Sequence, residues 1–227
     1  MGFADQLWAS EVATEEAILA HPFVRGLGDG TLPTERYRFY LCQDYAFLRE
    51  YARVLALGVA AAEVPGDMAA WSEMLHATLT REMELHRESC EGFGITRLAL
   101  ETVTLAPFAF HYTRHLLAVA RAGGLGEIAA ALLPCQRGYA VIGEALRCRG
   151  LPPVEAYAAW ITAYADPTYQ RAARWMWDQV NRQADEMGRS QRARAAAAFA
   201  ASMRYEHDFW DGCWRGPEGG APGAPDG

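Results

Sequence analysis

Along almost the whole chain, apolar residues recur at three- and four-residue intervals, and nowhere do apolar and polar residues alternate long enough to make a convincing strand. Such spacing gathers the apolar side chains onto one face of a helix, so it predicts an all-α protein. Breakers interrupt the pattern at Gly26 to Pro33, Pro65-Gly66, Gly92 to Gly94, Gly123 to Gly126, Gly150 to Pro153, Asp166-Pro167 and Gly188 to Ser190. The segments between them predict about eight helices, over 4–20, 34–63, 66–91, 97–122, 126–149, 153–164, 167–186 and 190–214. Long helices joined by short links favour a bundle, and no composition break divides the 227 residues. A single-domain helical bundle over 1–214 is therefore expected. The Gly/Pro-rich stretch 215–227 has no apolar residue to anchor it and is expected to be a flexible tail.

Charge narrows the partners. Asp plus Glu outnumber Lys plus Arg by 28 to 21, for a net charge of −7. A chain of that sign is a poor match for nucleic-acid phosphates or an anionic membrane surface, so a small molecule is the expected ligand. The longest apolar runs, such as Val59 to Ala62 and Ile128 to Leu133, fall far short of the roughly 20 residues that a membrane helix needs. No basic start precedes Asp5 and Glu11, which predicts no secretory leader. The cysteines Cys42, Cys90, Cys135, Cys148 and Cys213 form no Cys-x-x-Cys pair and read as reduced thiols, in keeping with a cytoplasmic protein.

Three residues stand out chemically. Cys135 follows Pro134 inside an apolar helical pattern and lies four residues before Tyr139, which sets thiol and ring on one face. A buried thiol on an apolar face is by itself a small inert core residue. A proline inside a helix costs roughly 3 kcal/mol, however, and usually has a reason. Asp44 sits among rings, sharing a face with Tyr40, Phe47, Leu48 and Tyr51; it is either salt-bridged or solvated, or it awaits the amidine-like edge of a ligand. Glu206 has Phe209 and Trp210 at i+3 and i+4. On an inward face burial would raise its pKa and make it a proton donor, and on an outward face it is merely solvated. Trp160 with Tyr164, and Phe108 with Tyr112 after a helix-interior Pro107, add further aromatic pairs. Glu82 with His86, and His111 with His115, have helical spacing but form no matched Glu-x-x-His motifs, so no metal is expected. Glu82 and His86 are expected to line a polar groove or a subunit contact.

Four stretches, in order, resemble the TenA (thiaminase II) family: Phe23 to Pro33, Tyr40 to Tyr45, Leu132 to Cys135 with Gly138-Tyr139, and Tyr205-Glu206 with Phe209-Trp210. The resemblance runs from about Phe3 to Trp214. It implies the heme-oxygenase-like all-helical fold, a homotetramer, no cofactor, and a pocket for an aminopyrimidine. It further implies hydrolysis of 4-amino-5-aminomethyl-2-methylpyrimidine to the hydroxymethylpyrimidine used in thiamine salvage, with cleavage of thiamine itself as a second activity. Carried over by position, Cys135 resembles the family nucleophile, Glu206 the proton donor, and Asp44 the carboxylate holding the aminopyrimidine edge. Tyr139 and Tyr164 resemble the tyrosines around the ring and Tyr112 a further pocket residue.

Two departures from the family pattern matter. Phe47 stands where some relatives have a tyrosine whose hydroxyl favours the thiolate, so Cys135 is expected to be less activated or activated by another group. Gln136-Arg137 replace an aromatic and a tryptophan; an inward-facing Arg137 guanidinium would lower the Cys135 pKa. Two other readings use the same fold. One is a non-catalytic or regulatory aminopyrimidine binder. The other is a cofactor-free oxidase like that of pyrroloquinoline quinone synthesis, which would want a basic pocket that the aromatic faces, with few Arg or His, do not offer.

Overall fold

The computed structural model describes residues 1–217, in which the regular structure is helical throughout. The first predicted helix is two, α1 (Phe3–Ser10) and α2 (Val12–Leu19), parted at Glu11, whose φ of −120° and ψ of 19° leave the helical region. Neither Gly nor Pro marks that break; packing sets it, with Trp8 seated against Trp177 and Phe199 at ring distances of 5.8 Å.

The segment 21–33, left between two predicted helices, holds α3 (Pro22–Asp29), whose second half overlaps the breaker cluster read at Gly26 to Pro33. Pro22 opens it at the position where a missing N–H costs nothing, and His21 accepts a bond from the Phe23 N–H at 3.2 Å. Gly28 is a contact rather than a break: a Cβ there would lie 2.7 Å from Leu146 Cδ2. Gly30, at φ 75°, ends the helix in the left-handed conformation that favours glycine.

Then come α4 (Thr34–Ala61), α5 (Pro65–Ala77), a π-helical turn (Thr78–Glu82) and α6 (Met83–Gly92). The predicted helix over 66–91 is thus interrupted by a turn of a kind that recurs at functional sites. The predicted helix over 97–122 is also two, α7 (Arg97–Glu101) and α8 (Pro107–Ala122). Pro107 is the first residue of α8 and not interior, because the residue before a proline is pushed to extended backbone, as Ala106 is at ψ 157°. The remaining helices, α9 (Leu125–Arg149), α10 (Glu155–Tyr164), α11 (Pro167–Glu186) and α12 (Arg189–Arg215), fall within a few residues of expectation. The tail expected from residue 215 begins on the last residue of α12, and beyond residue 217 it lies outside the described residues.

At the centre is α9, which packs against α8, α10, α11 and α12. Its run Ile128 to Leu133 is at most 1% exposed, so apolar residues face inward all round the helix. Each fully buried Leu or Ile there stabilises the fold by roughly 1.5–3 kcal/mol. Pro134 follows directly; lacking an N–H, it frees the backbone acceptor of Ala130 in the turn that carries Cys135.

Gly143 lets α10 come close, since a Cβ on it would stand 2.8 Å from the Tyr164 carbonyl carbon. Backbone cannot swing aside as a flexible side chain can. Gly143→Ala is therefore expected to destabilise the protein by about 1–3 kcal/mol. An unchanged urea midpoint in that variant would show that the close approach is not a constraint. No helix among the described residues is long and apolar enough to cross a membrane.

Candidate active site

Helical spacing on α4 places Tyr40, Asp44, Phe47 and Tyr51 on one buried face. Opposite it α9 presents Cys135 and Tyr139, α12 presents Glu206, α8 Tyr112 and α10 Tyr164. These residues converge. The Tyr112 hydroxyl donates to Glu206 Oε1 at 2.7 Å, and the Cys135 thiol and the Glu206 carboxyl lie near enough to influence each other's ionisation. On the facing wall the Tyr139 hydroxyl donates to Asp44 Oδ1 at 3.2 Å. The Tyr139 ring lies 4.9 Å from that of Tyr164, and the Phe47 ring 5.0 Å from that of Tyr112. Every residue assigned to the site from the sequence thus faces one region.

Cys135, Glu82 and Tyr169 each lie deep in the bundle yet are only partly buried, so the space beside them is not filled by side chains. A wider cleft of about 600 Å³, bordered by Thr14, His115, Arg204 and Tyr205, is a separate feature of the surface between α2, α8 and α12. Tyr205 connects the two regions, stacking on Tyr112 at 5.5 Å with the rings 14° apart.

Burial governs the ionisation of the site. It pushes Glu206 up to about 8; the bond from Tyr112 and the thiol contact oppose that shift, and the charge of Asp44 adds to it. Burial, followed by the charges of Glu206, Asp44 and Glu82, holds the Cys135 thiol well above its ordinary value. The charges that act most strongly on the sulfur, those of Glu206, Asp44 and Glu82, are all acidic. Arg137 lies over Trp177, 5.6 Å from the ring centroid, and has Arg174 as its nearest charged influence. Its guanidinium faces α11, and the expectation that it might tune the thiol is corrected. Phe47 contributes a ring and no hydroxyl, so Glu206 is the polar group that acts most strongly on the sulfur.

Asp44 has a partner that the sequence reading did not give it. Its Oδ2 takes His86 Nε2 at 2.6 Å and the Tyr40 hydroxyl at 3.2 Å. The other His86 nitrogen, Nδ1, faces the Glu82 carbonyl oxygen at 3.0 Å and must donate, because a carbonyl only accepts. With Nδ1 committed as a donor, Nε2 can donate to Asp44 only when the ring takes up a second proton. Burial disfavours that charge, but the bond from Asp44 and the charges of Asp44 and Glu82 prevail, and His86 sits above its ordinary value. Trp160 Nε1–H donates to the Tyr40 hydroxyl at 2.9 Å, completing a chain behind Asp44. Oδ1 retains one free lone pair for a ligand.

His86 and Glu82, read from the sequence as a groove or subunit contact, therefore belong to this cavity. Their i, i+4 spacing was the available signal, but the π-turn that aims them was not legible. No cluster of three or more His, Cys, Asp or Glu side chains among the described residues could hold a metal ion.

Two raised carboxyls make stability depend on pH. Glu206 moves from 4.5 to about 8 and Glu82 to about 7, so both carry protons when folded at a pH where the unfolded chain has released them. Their contribution is fully present below 4.5 and is lost as pH rises through about 7 and 8. The thermal midpoint is expected to fall between about pH 5 and 9, and Glu206→Gln, which cannot ionise, to flatten that fall. An equally steep decline in the variant would assign the dependence elsewhere.

The helical architecture around a buried aromatic cavity defines a heme-oxygenase-like protein. A domain of unknown function from Shewanella denitrificans with a heme oxygenase-like fold superposes with a TM-score of 0.72, at 14% identity over 93% of this chain and 91% of that one, which speaks for the fold alone. More particularly, the chain belongs to the TENA/THI-4/PQQC family, whose sequence profile matches residues 8–216. It is 35% identical over 214 residues to the aminopyrimidine aminohydrolase of Halalkalibacterium halodurans, covering 93% of this chain and 95% of the relative. The solved structure of a TenA family transcription regulator from Silicibacter sp. TM1040 matches with a TM-score of 0.87 and 30% identity, over 92% of this chain and 95% of that one.

Proposed function

We propose that the protein is a hydrolase of thiamine salvage, converting 4-amino-5-aminomethyl-2-methylpyrimidine to 4-amino-5-hydroxymethyl-2-methylpyrimidine with release of ammonia, and that it also cleaves thiamine. The observation that carries this reading is the convergence of the Cys135 thiol, a Glu206 carboxyl that keeps its proton near neutral pH, and the Asp44–Tyr139 pair on one buried aromatic region. The 35% identical aminopyrimidine aminohydrolase supports it.

The residues account for the chemistry. Asp44, backed by His86 and Tyr40, would accept one bond from the amino edge of the ring through its free Oδ1 lone pair, while Tyr139 and Tyr164 pack against the faces. Glu206 passes its proton to the ring from one oxygen and takes the thiol proton on the other as sulfur bonds to carbon, so no free thiolate forms. It is then an acid again when the exocyclic C–N bond breaks, and it protonates the leaving nitrogen. Water captures the methylene group and returns a proton to Glu206. The C–S bond breaks last, and the ring proton goes back to sulfur.

Incubating the protein with the aminomethylpyrimidine and with thiamine separately tests the reading: ammonia and hydroxymethylpyrimidine should appear in equal amounts from the first. A second reading, a regulatory binder, draws on the Cys135 thiol being held protonated and on the structurally similar transcription regulator. It predicts calorimetric binding of the pyrimidine without ammonia. The family resemblance further suggests a homotetramer in the cytoplasm, and sedimentation would test the assembly.

A further inference from the structure

Glu82 faces the cavity and has no role in the steps above. It is the last residue of the π-turn, lies deep in the bundle, and keeps accessible surface there. Thr78 and Tyr164, both neutral, are polar neighbours of its carboxyl, and no salt bridge among the described residues reaches it. His86 is the basic group that acts on it, but both of its ring nitrogens are engaged, one by Asp44 and the other by the Glu82 backbone carbonyl.

The charge of the cavity is therefore one-sided. The Asp44–His86 pair balances itself, Glu206 is engaged by Tyr112 and Cys135, and Glu82 remains as an acid without a counterion. Tyr51, Tyr164 and Tyr169 each lie within electrostatic reach of both Glu82 and Cys135, so acid and nucleophile address the same space. A buried carboxylate without a partner is costly, and a ligand cation that pairs with it recovers that cost in a charge-assisted hydrogen bond.

We propose that Glu82 is the binding residue for the positively charged nitrogen on the exocyclic methylene of the substrate: the primary ammonium of the aminomethylpyrimidine or the ring cation of thiamine. This inference rests on the hydrolase reading above and adds its charge selectivity. The hydroxymethyl product is neutral and loses the pairing, so the same residue that captures substrate lets product go.

The test compares Glu82→Gln with the wild type on two ligands of nearly the same shape, the aminomethylpyrimidine, read by KM, and its hydroxymethyl counterpart, read by calorimetry. The variant should raise KM for the amine by roughly tenfold or more and change the Kd of the neutral ligand by less than about twofold, and Glu82→Asp should recover part of the loss. Retained binding of the neutral ligand also shows that the variant is folded. Equal weakening of both ligands, or no change in either, overturns the inference while leaving the hydrolase reading intact. A wild-type protein that binds neither ligand overturns that reading, and the inference with it.

Discussion

Cys135→Ser should lower ammonia release from the aminomethylpyrimidine by roughly a thousandfold or more, to the level of the uncatalysed control. A serine hydroxyl is a far weaker nucleophile than a thiol, and nothing in the site would compensate. Burial and three acids already resist loss of the thiol proton, and they would resist loss of a hydroxyl proton more strongly. The change replaces one atom in a cavity, so binding of the hydroxymethylpyrimidine should persist and report an intact fold. Full activity in Cys135→Ser would reject the nucleophile and direct attention to water activated by Glu206. Full binding with no wild-type turnover would instead favour the regulatory reading.

Glu206→Gln should cost about 10²–10⁴ in kcat. It should also change the pH profile in a way that mere damage to the fold would not. With Glu206 raised to about 8 in the free protein and needed as an acid, wild-type kcat/KM should fall as pH rises through about 8. The groups facing it are Tyr112, Cys135 and Asp44. Glutamine keeps the size and can still accept from Tyr112, but it has no carboxyl proton to give. The alkaline limb should therefore be absent from what activity remains. Persistence of that limb in the variant would mean that another group, with the Cys135 thiol the first candidate, sets it.

Much of the site was legible because helical spacing is a property of the chain alone. Asp44 with Phe47 and Tyr51, and Cys135 with Tyr139, are three, four or seven residues apart, and any helix through them makes one face. What failed were boundaries where a local signal had two meanings. Glycine at 26 and 28 read as a breaker, but it serves close packing against Leu32 and Leu146 inside α3. Pro107 read as interior because the residues on both sides of it are helix formers. The bend at Glu11 carries no local signal; contacts of α1 with α11 and of α2 with α12 set it.

Side-chain roles divided the same way. The sequence could nominate Arg137 as a neighbour of the thiol, but two residues along a helix is about 200° of rotation, which turns the guanidinium toward Trp177. It could note that Glu82 and His86 share a face without showing what lay opposite. His86 meets Asp44 across a separation of 42 residues, and Tyr112 meets Glu206 across 94.

The linear order of residues was enough for the helical class, the central apolar segment through Leu133, and the nomination of Cys135, Asp44 and Glu206 as candidates, because periodicity and neighbour spacing are written into the backbone. The raised pKa of Glu206, the pairing of His86 with Asp44 and the burial of Glu82 were decided only when distant helices closed around them, since desolvation and ion pairing depend on what surrounds a group in space and not on what precedes it in the chain.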